Sequence, residues 1–500
     1  DEKSELGGSL MYEDDIKIDG SKGTTWVKKI EQQLNEMSNV KILKRSCVFG
    51  YQDHNFLTIA ERCSNHLTEV PKSSIRQRLW KVRSKQVLIA QGMHERPQVI
   101  SGNDIPGVML SSAVRGYVNK YGVVPGRSVV ICTNNDDAYR TAITLHKSGI
   151  KVSGIIDSRN NQTAELLKIT KKYNFKVFLG HVIASIHGKN AVKAVEVAPI
   201  NDDATDIASL PFKIPTDLVA MSGGWTPIVS LFSQSGGKLE WNEKQGYFKP
   251  AHHFQNELCI GGSNGTFDVQ ECIDETIKKT NETLVRLSKR KKSKFTITAN
   301  YPKFSYVPRN IWHIPNGRIS GKGGKAFIDF QNDVPLSDIH LASKEGYRSV
   351  EHLKRYTTTG MATDQGKTSN INALANLASI LKKPIEEVGT TTFRMPYTPT
   401  TLGNIGGRDI KNLFDPIRLT RINDWHDANN AKFEHVGQWM RAWYYPKQNE
   451  TFQEAVNREV FSVRNNAGIL DASTLGKIDI NGPDAAKFLN LIYTNSWSHL

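Results

Sequence analysis

SVVICTNNDDAYRTAITLHKSGIKVSGIID, residues 128–157, decides the fold. Ser128–Thr133 is a short, almost wholly apolar run of strand length, Asp136–Ser148 carries a helical pattern, and Lys151–Ile156 is apolar again. The alternation continues outward with a helix at Gln162–Tyr173 and a strand at Lys176–Leu179. Strands separated by helices of about a dozen residues predict βαβ units and a parallel sheet. After Pro211 a further apolar strand, Leu218–Met221, leads into Ser222-Gly223-Gly224, with a helix expected from Thr226-Pro227. Cys259-Ile260 followed by Gly261-Gly262-Ser263-Asn264-Gly265 repeats that design, with a helix expected as far as Lys291.

Toward the N-terminus, residues 24–37 place Trp26, Ile30, Leu34 and Met37 on one helical face. Val40 to Ala60 reads as a strand pair turning at Asp53-His54-Asn55, with short strands at Leu79–Val82 and Val87–Ala90. Toward the C-terminus, six basic residues (Arg286, Lys289, Arg290, Lys291, Lys292, Lys294) read as a solvated helix end, not a nucleic-acid arm. A Pro-rich connector, 301–315, precedes a helical module. There Ser337 is expected to cap a helix running to Tyr356, and Pro384 to stop another spanning 370–383.

Five hundred residues are enough for several domains, and 38% hydrophobic with 23% charged residues excludes collagen-like and wholly disordered classes. Apolar runs such as Val129–Cys132 are too short to span a bilayer. The formal charge of +15 suits anionic ligands and acidic partners without implying nucleic-acid binding. Five widely spaced cysteines, with no CxxC, read as reduced thiols in a cytoplasmic protein and remove a disulfide-reductase chemistry. No His/Cys spacing suits a metal, and no catalytic dyad is legible.

The opening, Asp1-Glu2-Lys3-Ser4-Glu5-Leu6-Gly7-Gly8-Ser9, resembles the far end of a dinucleotide-binding βαβ unit, whose acidic strand tip accepts hydrogen bonds from a ribose diol. The glycine-rich phosphate turn is expected upstream of it. Gln91-Gly92, Glu95-Arg96-Pro97 and the later Gly-Gly-Ser-Asn-Gly are expected to be strand ends facing one site. This layout is similar to glutathione-reductase-like flavoproteins, which split a first dinucleotide domain around an inserted second one. In the insert, Thr133-Asn134-Asn135-Asp136-Asp137 stands where GxGxxG belongs. Without glycines, and with two acids, it is expected to bind no pyrophosphate. Two loops dense in hydroxyls and amides, 355–368 and 389–394, carry groups suited to a phosphate or a flavin edge.

Seven strings carry a closer likeness: GNDIPGVMLSSAVRGYVNKYGVVPG, TNNDDAYRTA, SGGWTPIVSLFSQSGGKL, FIDFQNDV, EGYRSVEHLKRYTTTGMATDQGKTSN, VGTTTFRMPYTP and GILDASTLGKIDINGPDA. Together they resemble the alpha subunits of heterotetrameric sarcosine oxidase across essentially the whole chain. Those subunits are longer, so the chain is expected to be a fragment cut at both ends. The resemblance implies oxidative demethylation of sarcosine to glycine, with oxygen reduced to hydrogen peroxide. The one-carbon unit is released as formaldehyde or captured as 5,10-methylenetetrahydrofolate. It also implies NAD on this subunit, FAD on the beta subunit, FMN at the alpha–beta interface, tetrahydrofolate on the C-terminal domain, and beta, gamma and delta partners, with neither nucleic acid nor membrane.

The implied fold is α/β: a glutathione-reductase-like Rossmann domain (1–103 and 211–292) with an inserted second βαβ domain (104–210). A linker (293–330), a helical module at a flavin and subunit interface (331–400) and the start of an aminomethyltransferase-like folate domain (414–500) follow. The implied NAD residues are Asp1, Glu2, Lys3, Ser9, Val48, Gly262, Phe267 and Val269. Thr363, Gln365, Lys367 and Arg394 are the expected FMN-edge residues, and no residue is expected to be catalytic or to bind metal. The rival readings are the alpha subunit of a related proline dehydrogenase or opine oxidase, and a one-carbon transferase whose nucleotide domain is only scaffold.

Overall fold

The computed structural model describes residues 1–71, 73–288, 295–317, 324–407 and 415–499. They divide into two units, Asp1–Asn404 and Ile405–Leu500. In the first, residues 128–157 form two neighbouring strands of a five-stranded sheet. Its order is Val177–Leu179, Lys151–Asp157, Ser128–Thr133, Leu218–Ser222, Val108–Leu110, and every pairing is parallel. The central strands are apolar along their length because both faces are covered. Helices Ser111–Tyr121 and Ala138–Lys147 pack Val114, Tyr139, Ala142 and Leu145 on one face. On the other lies an antiparallel sheet of His181–Gly188, Val192–Pro199 and Phe212–Pro215. The strand Leu218–Ser222 belongs to this parallel sheet, so the insert runs past residue 210, where the sequence placed its end.

The enclosing domain holds the helix Gly23–Asn35 and an antiparallel sheet of Ser46–Gln52, Phe56–Arg62 and Gln77–Arg83. The first hairpin turns at Asp53–Asn55 as expected, with His54 (φ 60°) and Asn55 (φ 50°) in the left-handed conformation that a tight turn requires. Val87–Ile89 lies parallel to Glu257–Cys259, so two strands more than 160 residues apart in the chain end side by side. The helix expected from Thr226 does not form there. Trp225–Pro227 instead pairs antiparallel with Met93–Glu95, and the helix shrinks to Ser230–Gln234. The long helix after the second glycine run starts at Val269, behind a 3-10 turn at Gly261–Asn264. It is described as far as Ser288; Lys289–Lys292 and Lys294 of the basic run lie outside the described residues.

The helical module is built from Leu336–Lys344, Val350–Thr357 and Asn370–Leu381 around Ile339, Leu353, Leu374 and Leu377. The single helix expected from Ser337 to Tyr356 is therefore two. Gly346, at φ 99°, breaks it, and Ser337 lies inside the first helix, which follows Pro335. In the second unit, Lys432–Val436 and Trp439–Tyr444 form a hairpin, and Thr451 and Glu454 make a reciprocal capping box that starts the helix Phe452–Asn465. Among the described residues no helix is long and apolar enough to cross a membrane.

Candidate functional site

The glycine-marked strand ends converge because their backbones touch. Gly92 N donates to Ser263 Oγ at 3.0 Å, and a Cβ on Gly262 would come within 3.0 Å of the Gly92 backbone. Only glycine lets the two ends close up. Beside them opens a cavity of about 840 Å³. Asp1, Ser9, Gly262, Phe267 and Val269, five of the eight residues expected to hold NAD, line it together with Gln91, Gly92 and Trp225.

The other three, Glu2, Lys3 and Val48, do not line it. Glu2 and Lys3 pair with each other at 3.6 Å on the surface. Val48 is half-buried in its strand against the core of Tyr51, Leu57 and Ile89. Residues 1–3 are laid along the strand before that core. The Asp1 amino group donates to Leu43 O at 2.8 Å, Ser46 N to Asp1 O at 2.8 Å, and Arg45 N to Lys3 O at 2.9 Å. One Asp1 carboxylate oxygen accepts from Lys3 N at 2.8 Å.

Glu95-Arg96-Pro97 also departs from expectation, since it turns away from the cavity. Glu95 accepts from Ser112 N (2.8 Å) and Ser112 Oγ (2.6 Å) at the start of the helix Ser111–Tyr121. Burial pushes this carboxyl up to about 7, with the Asp137 charge adding to the rise and the Ser112 hydrogen bonds opposing it. Arg96 is fully buried, with no acidic partner among the described residues. It donates to the carbonyls of Gly246 and Gly223 and lies 5.0 Å from the Trp312 ring centre.

The cavity wall carries a charge cluster that the sequence reading missed. Arg115 Nε donates to Glu13 Oε1 at 2.8 Å, and its Nη2 lies 3.2 Å from Asp137 Oδ2. Arg140 lies 3.3 Å from Glu13 Oε2 and 3.7 Å from Asp15. Burial holds the Glu13 carboxyl above its ordinary range, against the pull of both guanidiniums. Nothing local in the sequence marks the cluster, because Glu13 and Arg115 are 102 residues apart. In the turn of the insert, expected to bind no pyrophosphate, Asp136 is engaged within the chain: Arg159 Nη1 lies 2.5 Å from its carboxylate.

A second cavity lies between Thr226–Val229 and the helical module, lined by His94, Phe248, Lys367, Asn370, Thr391, Phe393 and Tyr397 among others. Of the four residues expected at a flavin edge, only Lys367 faces it. Its Nζ donates to Tyr397 O at 3.5 Å and sits 4.7 Å from the centre of that ring. The Gln365 amide is already used: it donates to Arg394 O (2.8 Å) and Pro396 O (2.9 Å) and accepts from Arg394 N (3.0 Å). Thr363 and Arg394 are exposed. Burial, then the neighbouring Lys367 charge, push the His94 imidazole down to about 4, so it is neutral at pH 7.

In the second unit the buried His426 ring joins Asp471 Oδ2 (2.9 Å) to Tyr445 Oη (2.5 Å), tying three separate segments. Asp471 lies in the string GILDASTLGKIDINGPDA. Among the described residues no three His, Cys, Asp or Glu side chains group as metal ligands.

Two protein families match the chain: the sarcosine oxidase A3 domain over residues 323–408 and the GCVT N-terminal domain over residues 422–500. Sarcosine oxidase subunit alpha of Corynebacterium sp. (strain P-1) is 38% identical over 511 aligned residues, covering 100% of this chain and 52% of that protein. The subunit of the same name from Rhizobium meliloti is 37% identical, covering 100% of this chain and 49% of its own length. The chain thus spans about half the length of the curated relatives it matches. Among solved structures, L-proline dehydrogenase from P. horikoshii shares the fold with a TM-score of 0.57 at 17% identity, over 81% of this chain and 73% of that one.

Proposed function

This chain belongs to the family of sarcosine oxidase alpha subunits, and from that premise we propose that it is the NAD- and folate-carrying subunit of an oxidoreductase acting on sarcosine. The reaction on this reading is oxidative demethylation to glycine with oxygen reduced to hydrogen peroxide. The methyl carbon leaves as formaldehyde or as 5,10-methylenetetrahydrofolate. FAD and the amine site belong to a beta subunit, FMN lies where alpha and beta meet, gamma and delta complete the assembly, and the complex is cytoplasmic. The observation that carries the reading is the likeness to curated alpha subunits over all of this chain.

The first cavity suits a dinucleotide. Its volume of about 840 Å³ lies in the range of cofactor sites. Asp1 and Ser9 line it, and the close backbones of Gly92 and Gly262 bound it as well. NAD there would be a bound group without a redox role. Asp1 would accept from ribose hydroxyls, Gly262, Phe267 and Val269 would cover the far half, and the Arg115 cluster would keep the wall rigid. Arg115 and Arg140 are spent on Glu13 and Asp137, which leaves little free positive charge for a second anion. Toward FMN, this chain offers Lys367 as the cation, Thr363 and Arg394 as exposed donors, and Gln365 as the brace that holds the 394–396 backbone. The flavin supplies the electron transfer; the role of these residues is to neutralise a phosphate and to donate hydrogen bonds at its edge.

The GCVT match over 422–500 favours this reading over a proline dehydrogenase or opine oxidase subunit. Adding sarcosine to the full-length subunit assembled with beta, gamma and delta, and measuring peroxide, tests it. Sarcosine-dependent peroxide supports an oxidase. Folate-dependent one-carbon transfer without peroxide favours the transferase.

A further inference from the structure

The inserted domain has the frame of a dinucleotide site, and that site is already filled. In a βαβ unit the ligand lies across the turn after the first strand, at the N-terminus of the following helix, with its ribose on an acid at the tip of the second strand. Here those places are the turn 134–137, the helix Ala138–Lys147, and Asp157. Asp157 is fully buried. Its carboxylate accepts from Tyr139 Oη (2.9 Å), Arg159 Nε (3.0 Å) and Arg159 Nη2 (2.8 Å).

The rest is supplied by the connector. Ser305 N (3.2 Å) and Oγ (3.0 Å) donate to the Asp136 carboxylate. Arg309 N donates to Asn134 O at 3.1 Å, and Asn134 Nδ2 returns a bond to Arg309 O at 2.9 Å. The Arg309 guanidinium reaches past the second strand to Ser158 O (2.6 Å), Asn201 O (2.9 Å) and Asp202 O (2.7 Å). Phe304 is buried in the core with Ala138 and Tyr139, and Arg140 lies over its ring at 4.8 Å. Tyr306, also buried, accepts from Trp225 N at 2.7 Å.

We propose that residues 302–309 are a tethered occupant of the second nucleotide cleft, a strap that takes the ligand's place and holds the turn and strand tips together. The alternation of buried Phe304 and Tyr306 with exposed Ser305 and Val307 is that of an extended segment lying along a groove. The backbone carbonyls that Arg309 binds sit where the groove would otherwise be open to a ligand. The inference stands on hydrogen bonds within this chain and holds whatever amine the enzyme oxidises.

Hydrogen–deuterium exchange on the full-length subunit in its complex tests it, with Arg309→Ala, the milder Arg309→Lys, and Ser305→Ala. Arg309→Ala is expected to speed exchange about tenfold both in 302–309 and in 134–137 with 158–160, because the two are held by the same bonds. Arg309→Lys keeps the charge but cannot fork to three carbonyls, and should show the same joint pattern more weakly. Millimolar NAD or NADP added to the wild-type protein should leave those segments unchanged. Faster exchange confined to 302–309 would overturn the proposal. So would a second dinucleotide that releases the strap in the wild-type protein.

Discussion

Replacing Arg115 with methionine removes the cation that two carboxylates in the wall of the main cavity share. The side chain is 5% exposed and makes six polar contacts: two to Glu13, three to Asp137 and one to Thr141 Oγ1 at 3.1 Å. Methionine fills most of the volume, so the loss is mainly electrostatic, leaving Glu13 and Asp137 buried with half their compensation. Breaking a buried pair this way costs about 3–5 kcal/mol. Arg140 stays 3.3 Å from Glu13 and 3.9 Å from Asp137, which places the expected cost near the lower end, about 3 kcal/mol. Glu13→Gln in the methionine background should then restore about 1–2 kcal/mol, since it removes one of the two carboxylates that then share Arg140 alone. Urea unfolding followed by fluorescence of the nine tryptophans reads this cycle. A cost below about 1 kcal/mol for Arg115→Met would refute the reasoning, as would costs that simply add in the double variant.

Asp1→Ala should weaken dinucleotide retention about ten- to a hundredfold, the loss of a charge-assisted hydrogen bond to ribose, while Glu2→Ala and Asp136→Ala leave it near wild type; equal loss in all three sinks the site. Glu95, raised to about 7 from the usual 4.5, adds stability that is complete below pH 4.5 and lost as pH rises through 7. Glu95→Gln should therefore gain up to about 3 kcal/mol relative to wild type above pH 7, and a pH-independent difference in denaturation midpoint counts against it. His94, depressed to about 4, has the opposite sign for a base: its contribution is present above pH 6.5 and lost as pH falls toward 4, so His94→Gln should flatten acid destabilisation over that window. In the assembled complex, Lys367→Ala or Arg394→Ala should slow electron passage from FAD to FMN without changing sarcosine-dependent FAD reduction. Rapid-mixing absorbance at wild-type rates with full FMN content would reduce both residues to surface charges.

How much of this was legible in the chain depends on how far apart the partners lie. Residues 128–157 reveal their strand–helix–strand identity because apolar periodicity is a property of neighbours, and the sheet sits where that pattern put it. The hairpin at Asp53–Asn55 and the end of the helix before Pro384 are equally local. The convergence of Gly92 with Gly262 could be anticipated, since glycine at a strand end marks close backbone approach.

What failed was decided by tertiary competition. Trp225–Pro227 has a strand partner in Met93–Glu95, and pairing with it displaced the expected helix. Glu95 and Arg96 found a helix start and buried carbonyls instead of the cavity. Glu2 and Lys3 pair with each other at the surface, and of the three opening residues Asp1 is the one that lines the cavity.

The sequence by itself determined the α/β class, the positions of the glycine turns and the absence of a GxGxxG turn in the insert. Only the tertiary structure decided which acid meets the cavity, which arginines balance Glu13 and Asp137, and what lies in the second cleft. Glu13 meets Arg115 across 102 residues and Asp136 meets Ser305 across 169, and the stability of such contacts comes from desolvated geometry that no local pattern encodes.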